Sequence, residues 1–452
     1  MKVGIDAISY AVPKLYMPFA GRWAERRADV FAQGDVDGLV AKVTSGIGMS
    51  QMAVPDAHED IVTLAANAIR QLMERRGITL ADVSHVLFAT EGGVDHSKSA
   101  SAYVLGLLSD YFSADAGHIA SVELKFACAA SSYALEYAQS LIRSKMASRK
   151  YVIVVASDIA RYELESPGEY TQGAGAIAMA VCENPEILEF DNGPMACASA
   201  DERDFFRPLF RDFPTVDGKY SVEVYLNLVE RAFSRFAQTH AEAHKTSVRD
   251  ILGQSGALLF HVPFPKMAEY IASRIILPHF QDVHAMTPDE RVVAERDFRK
   301  SQTFLGIFAE KVEPSLAISR SIGNVYSGSL PLALASLLSQ GAEQIKSLAG
   351  KRTVFLAYGS GATARVFGGK FTSSLAKSVL PLPLSQISRQ PVSFEDYERL
   401  HAHSEVRTER NGDAMVTPLG LSVLKPRDEF VYLGMKALPV SELGLRLYKY
   451  QS

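Results

Sequence analysis

Residues 123–135 read ELKFACAASSYAL, and this stretch decides the fold class. Upstream, in SVELKFA, the apolar Val122, Leu124 and Phe126 alternate with other residues, the period of two of a strand. Downstream, Ala130, Ala134, Tyr137, Ala138 and Leu141 recur at helical spacing. Cys128 therefore falls near a strand-to-helix turn, at the start of the helix. Unpaired backbone N–H groups and the positive end of the macrodipole gather there. Both favour the thiolate, which is the nucleophilic form. The plainer reading is a packed structural thiol, because free cysteine is among the most buried residue types. Ala129, Ala130, Ser131 and Ser132 would let another molecule approach the backbone closely.

Outward from this turn, the first half carries strand candidates in KVGIDAISYAV, HVLFATEG, SVELKFA, KYVIVVASDI, GAIAMAVCE and ILEF, with helical patterns at 61–76 and 130–145. A mixed α/β layer architecture follows. The second half repeats parts of the scheme. ALLFHVPF (257–264) resembles HVLFATEG (85–92), each a short apolar strand ending at a polar side chain. GNVYSGSLPLALASLLSQ (323–340) is a glycine turn and an apolar helix, as around Cys128. RTVFLAYGSGATARVFGGKF (352–371) parallels YVIVVASDIARY and QGAGAIAMAV. These similarities point to a duplication, with a site between the halves. The expected units are 1–198, a helical insertion at 199–255 with a helix over 221–245, a second half at 256–373, and an extension at 374–452. The charged segment 280–302 reads as a solvated helix or loop, and 374–395 as a connector. The extension reads as helix, a turn at Asn411–Gly412, then strands.

The chain has 452 residues, 47% of them hydrophobic and 22% charged, as in soluble globular proteins. A net charge of −4 and the lack of a Lys/Arg cluster give no support to nucleic-acid binding. The three cysteines, Cys128, Cys182 and Cys197, form no C-x-x-C pair, which fits a reducing cytosol. Cys182 is expected at a strand end and Cys197 in a loop. MKVGIDAISYAVP lacks the features of a signal peptide, and YVIVVASDI is too short to span a bilayer. A cytoplasmic protein with no membrane partner is the expectation.

Several polar residues stand where chemistry could use them. Glu91 in FATEGGVDHSKS follows an apolar strand, where partial burial would raise its pKa toward an acid/base range; the alternative is a solvated loop carboxylate. His261 in LFHVPFPKM is either a core histidine or a site residue, and Lys266 is either a phosphate contact or a surface lysine. Asn324 in GNVYSGS could cap a helix or bind a carbonyl. Ser360, between Gly359 and Gly361, lies in a plain hairpin turn or beside backbone N–H groups open to a thioester. Other patterns fail. GAGAIA is followed by a strand-like run and not a helix, which argues against a dinucleotide site. His240 and His244 have i, i+4 spacing without a third ligand, so no metal is expected. There is no G-x-S-x-G elbow. Met52, Met179 and Met267 read as core filler.

Together, ATEGGVDHSKS, ELKFACAASS, ASDIARYELESPGEYTQGAGAIAM, FRPLFRDFPTVDGKYS, FHVPFPKM, GNVYSGSL and AYGSGA resemble the 3-hydroxy-3-methylglutaryl-CoA synthase family of the thiolase superfamily, in the family's order. The resemblance implies a duplicated thiolase-like five-layer α/β/α/β/α fold, a homodimer and a place in the mevalonate pathway. It implies Cys128 as the acylated nucleophile, Glu91 as general acid/base, and His261 as the residue orienting the second acyl-CoA. Ser132, Tyr162, Asn324 and Ser360 match substrate-binding positions, and Lys266 one near the CoA phosphates. Acetyl-CoA and acetoacetyl-CoA would be the substrates, with no metal or other cofactor.

Three departures stand beside the nucleophile: Ala129 for the family's Tyr, Ser132 for its Thr with the hydroxyl kept, and Phe126 for its Gln or Glu. Loss of the Tyr ring would enlarge or reshape the acyl pocket, so propionyl-CoA is expected to acylate Cys128 within roughly tenfold of acetyl-CoA unless a neighbour such as Phe126 refills the space. A thiolase is disfavoured because Ser360 stands where thiolases carry a second cysteine. Three alternatives stay open: a β-branching synthase acting on acyl-carrier-protein substrates, a type III ketoacyl synthase, and an inactive acyl-binding paralogue.

Overall fold

The computed structural model describes residues 1–193, 195–244, 247–283, 285–403, 418–436 and 445–452. In chain order the strands are β1 (Val3–Ala11), β2 (Leu15–Pro18), β3 (Gln51–Val54), β4 (Val83–Thr90), β5 (Ala120–Lys125), β6 (Tyr151–Ala160), β7 (Gly173–Glu183), β8 (Leu188–Phe190) and β9 (Ala196–Ser199). They continue as β10 (Phe205–Phe206), β11 (Thr215–Val216), β12 (Ser255–Phe260), β13 (Arg352–Gly359), β14 (Thr363–Phe371), β15 (Gln390–Pro391), β16 (Glu429–Met435) and β17 (Arg446–Gln451). The main sheet runs β12-β13-β14-β8-β1-β7-β6-β4-β5, with β9 paired to β14. The duplication is visible in strand direction. β4 pairs parallel with β6, which pairs antiparallel with β7; β12 pairs parallel with β13, which pairs antiparallel with β14. The short β8 joins the two halves by pairing with both β1 and β14.

Alternation along the buried strands builds the layers. In β6, Val152, Val154 and Ala156 pack into one core cluster, while Tyr151, Ile153 and Val155 pack into another. In β13, Phe355 and Ala357 join the first cluster, while Val354, Leu356 and Tyr358 join a third. The shared cluster contains the helices Ala130–Arg143 and Ser329–Leu338, so both lie between the two half-sheets. The helices Ile61–Arg76 and Ala100–Phe112 cover the outer face of the first half, and Gly218–His244 and Met267–Ile276 that of the second. This is the α/β/α/β/α order, with helices on both faces of each half because both faces of its strands are apolar.

The helix expected over 221–245 runs Gly218–His244 and packs on β9, β13 and β14. Segment 280–302 forms the helix Pro288–Phe298, capped by Thr287. Cys182 is in β7 as expected, whereas Cys197, expected in a loop, lies in β9, where its neighbours pair with β14. The sequence between Cys197 and the preceding strands lacks alternation, and only pairing with β14 extends it. Met52, Met179 and Met267 are buried in the core. The turn at Asn411–Gly412 and the side chain of His244 lie outside the described residues, while β16 and β17 form the expected terminal strands. Among the described residues, no helix is long and apolar enough to cross a membrane.

Candidate active site

The chain turns sharply between β5 and the helix Ala130–Arg143. Ala127 takes φ 41°, a left-handed conformation costly for a residue with a Cβ. Cys128 follows it, 9% exposed, and Ala129 starts the helix without a side-chain cap. Across the seam, β13 ends against this turn. A Cβ on Gly359 would stand 2.7 Å from the Ala129 nitrogen and 2.8 Å from its Cβ, so only glycine admits the approach. This contact overturns the expected opening of the acyl pocket at Ala129. The Ala129 side chain is fully buried against Gly359 and does not line the substrate cavity. Phe126 does not refill that space either; its ring is half-exposed and stacks on Tyr133.

A cavity of about 420 Å³ brings together Cys128 and Tyr162 from the first half with His261, Asn324 and Ser360 from the second. His261 follows β12; its backbone N–H donates to the Leu356 carbonyl (2.8 Å), and its carbonyl accepts from the Tyr225 hydroxyl (2.7 Å). Burial lowers the imidazole pKa to about 3, so the ring is neutral. Its buried Nδ1 has no hydrogen-bond partner among the described residues. Asn324 accepts the Tyr326 N–H through Oδ1 (2.9 Å), a local turn bond that leaves its amide N–H groups for a ligand. Beside Cys128, Tyr162, Phe205 and Tyr326 meet edge to face, with ring centroids 5.8–6.5 Å apart, and make a small apolar box.

Two expected contacts are not brought to this cavity. The Ser132 hydroxyl is fully buried and donates to the Ala129 carbonyl (2.7 Å), because helical spacing turns it back onto the preceding turn. Lys266 precedes the helix Met267–Ile276 and pairs with Glu269 at 2.7 Å; Phe264 and Met267, on either side, do line the cavity.

Glu91 sits just past β4, buried, with Arg207 Nη2 2.8 Å from its Oε2. Burial pushes its pKa up, and Arg207 and then Lys125 oppose that rise. Glu91 and Arg207 border an adjoining cavity of about 380 Å³, and the Glu91 carboxylate is close enough to Cys128 for its charge to act on the thiol. The thiol departs from expectation. Burial, and then the carboxylates of Glu91, Asp158 and Asp204, hold Cys128 well above the usual thiol range, so it rests protonated in spite of the helix start. A base must take its proton during attack.

Asp158, Asp204, Phe205, Arg207 and Tyr326 were not legible as site residues. Asp158 had one signal, a carboxylate ending the apolar run YVIVVAS. It accepts from the Glu91 N–H (2.9 Å), the Thr90 hydroxyl (2.6 Å) and the Ser327 N–H (2.9 Å), tying the halves together, and burial with the Glu91 charge raises its pKa to about 7. Asp204 holds the Tyr358 hydroxyl (2.6 Å) and the Gly361 N–H (3.0 Å), contacts that only the β13–β14 turn supplies.

The family models described as hydroxymethylglutaryl-coenzyme A synthase N terminal and C terminal match residues 2–186 and 188–390. A hydroxymethylglutaryl-CoA synthase of Haloferax volcanii is 32% identical over 426 residues, covering 88% of this chain and 91% of that protein. The chain belongs to the hydroxymethylglutaryl-CoA synthase family. The Enterococcus faecalis member is 33% identical over 409 residues, 89% of this chain and 92% of its own length. A solved structure of MvaS in complex with 3-hydroxy-3-methylglutaryl coenzyme A superposes with a TM-score of 0.83 at 31% identity, covering 100% of this chain and 99% of the other. The curacin-pathway HMG synthase in complex with apo donor-ACP has a TM-score of 0.78 at 24% identity, covers 100% of both chains, and shares the fold. The family's members are acyl-transferring condensing enzymes with a thiolase-like fold, as the layer order here requires.

Proposed function

We propose that this chain is a hydroxymethylglutaryl-CoA synthase that condenses acetyl-CoA with acetoacetyl-CoA through an acetyl group on Cys128. The observation that carries this reading is the shared cavity: a buried thiol from one half faces a neutral histidine and an asparagine from the other. In the first stage the Cys128 sulfur attacks the acetyl carbonyl carbon and CoA leaves as its thiol, taking the proton. Neutral His261, whose buried Nδ1 has no hydrogen-bond partner among the described residues, would carry that proton. In the second stage ionised Glu91 removes a methyl proton, and backbone N–H groups at the Cys128 and Ser360 turns stabilise the enolate oxygen. The methyl carbon then bonds to the ketone carbon of acetoacetyl-CoA. His261 and Asn324 polarise that ketone, and Glu91 returns its proton to the new alkoxide. Water finally cleaves the thioester at Cys128 and releases the product with a free carboxylate.

The aromatic box beside Cys128 suits a two-carbon acyl group. The enzyme works as a homodimer in a reducing compartment. Support for the dimer comes from β5, which lies at the open end of the sheet and pairs only with β4 among the described strands. Mass spectrometry after exposure to acetyl-CoA tests the central step: one acetyl adduct, mapped to Cys128, is expected. A label on Cys182 or Cys197 with Cys128 bare would overturn it, and labelling from acetyl carrier protein but not from acetyl-CoA would change the donor.

A further inference from the structure

The Glu91 carboxylate is held by a residue from a different element. Arg207 directly follows β10 in the hairpin formed with β11, where Phe205 pairs with Val216 and Phe206 with Thr215. On one side this hairpin lines the substrate cavity through Phe205, Thr215 and Val216. On the other, Arg207 Nη2 reaches Glu91 Oε2 at 2.8 Å. Its base is anchored by Asp204, which accepts from Tyr358 and Gly361. The guanidinium passes directly over Gly92: a Cβ there would stand 2.5 Å from Nη2 and would push the arginine off the carboxylate. The missing side chain at position 92 and the reach of Arg207 thus serve the same contact.

We propose that Arg207 is the positioning residue for Glu91, holding its carboxylate in one orientation and keeping it ionised over the working pH range, so that the β10–β11 hairpin couples the wall of the substrate cavity to proton transfer. The proposal rests on the reading of Glu91 as the general acid/base. The other groups acting on Glu91 do not replace Arg207. Lys125 from β5 acts in the same direction but after Arg207 in strength. Asp158 from β6 repels, and Cys128, Tyr162 and Tyr326 are uncharged near neutral pH. Burial alone would therefore favour a protonated Glu91 unable to accept a methyl proton.

The test is the pH profile of condensation, measured as single turnover of acetoacetyl-CoA on enzyme already acetylated. In the native enzyme the acidic limb marks ionisation of Glu91. Arg207→Gln should move that limb upward by about one pH unit, since an opposite charge in contact is worth about one to three. Arg207→Lys should recover most of the shift. Gly92→Ala, which keeps the arginine but displaces it, should move the limb the same way and guards against misfolding of the Gln variant. A limb that stays in place while the rate falls evenly at all pH values would overturn the proposal, provided Glu91→Gln abolishes condensation. Should Glu91→Gln condense normally, the assignment of Glu91 fails, and this proposal with it.

Discussion

His261 shows how burial selects a role for one residue. An imidazole in water titrates near neutrality, but here burial brings the pKa to about 3, so the ring is neutral at every pH at which the protein would be assayed. A neutral ring can donate one hydrogen bond to a ketone and accept one proton, whereas an imidazolium could not act as a base. Its buried Nδ1 lacks a protein partner among the described residues, which favours contact with a ligand. His261→Ala should raise the KM for acetoacetyl-CoA about tenfold to a hundredfold, the scale of one hydrogen bond lost at a buried site, and reduce self-acetylation less. Separate measurement of the two half-reactions checks this. Equal losses would make His261 chiefly the base that activates Cys128. Core histidine and cavity residue are not exclusive here: His261 is buried among core side chains, and the core at that point opens into the cavity.

At the scale of elements, the Cys128 turn and the β13–β14 turn are built against each other. Ala127 at φ 41°, directly before Cys128, and Tyr326 at φ 40°, which lines the cavity, are both left-handed residues, and such conformations persist only where the surroundings over-determine them. Gly359 supplies part of that constraint by letting backbone meet backbone at Ala129. Gly359→Ala should therefore cost about 1–3 kcal/mol by overpacking, because the atoms it meets are backbone and cannot swing aside. It should also slow acetylation of Cys128 by shifting the turn. A lowered denaturation midpoint together with a slower acetylation burst is the expected result; unchanged values for both would show that the two turns move independently. The strand-to-helix switch at Cys128 was legible because periodicity changes from two to helical within a few residues. The position of Ser132 was not, since a matching residue type says nothing about whether its hydroxyl faces a ligand or its own helix.

For the whole molecule, the open edge at β5 is the feature that two copies would resolve. Phe126, 36% exposed, directly follows β5, whose own residues are exposed or half-buried, and Tyr137, 42% exposed, lies on the helix Ala130–Arg143 that follows. Unpaired edges with apolar neighbours pair or aggregate unless covered. Sedimentation of the native protein should give a dimer. The double variant Phe126→Asp, Tyr137→Asp should give a monomer, as two carboxylates desolvated in an interface cannot be compensated. A native protein that sediments as a monomer at micromolar concentration would remove the proposed dimer.

The sequence by itself determined a mixed α/β layering with an internal repeat and marked Cys128 as the candidate nucleophile, while the five-layer order was implied by the family resemblance. Alternating apolar residues fix which strands have two buried faces, and the repeated strand, turn and helix patterns fix the duplication; both are local properties of the chain. Glu91, Cys128 and His261 were legible as candidates because each stands where a strand stops. Tertiary structure decided what those groups meet. The protonated resting state of Cys128 follows first from burial and then from three carboxylates brought from separate segments. The closure of the space at Ala129 comes from a glycine more than two hundred residues away in sequence. The Arg207 contact depends on a two-residue strand pair with little pattern of its own. Charge and packing act over a few ångströms in space, and no local periodicity records which distant residues will stand within that distance.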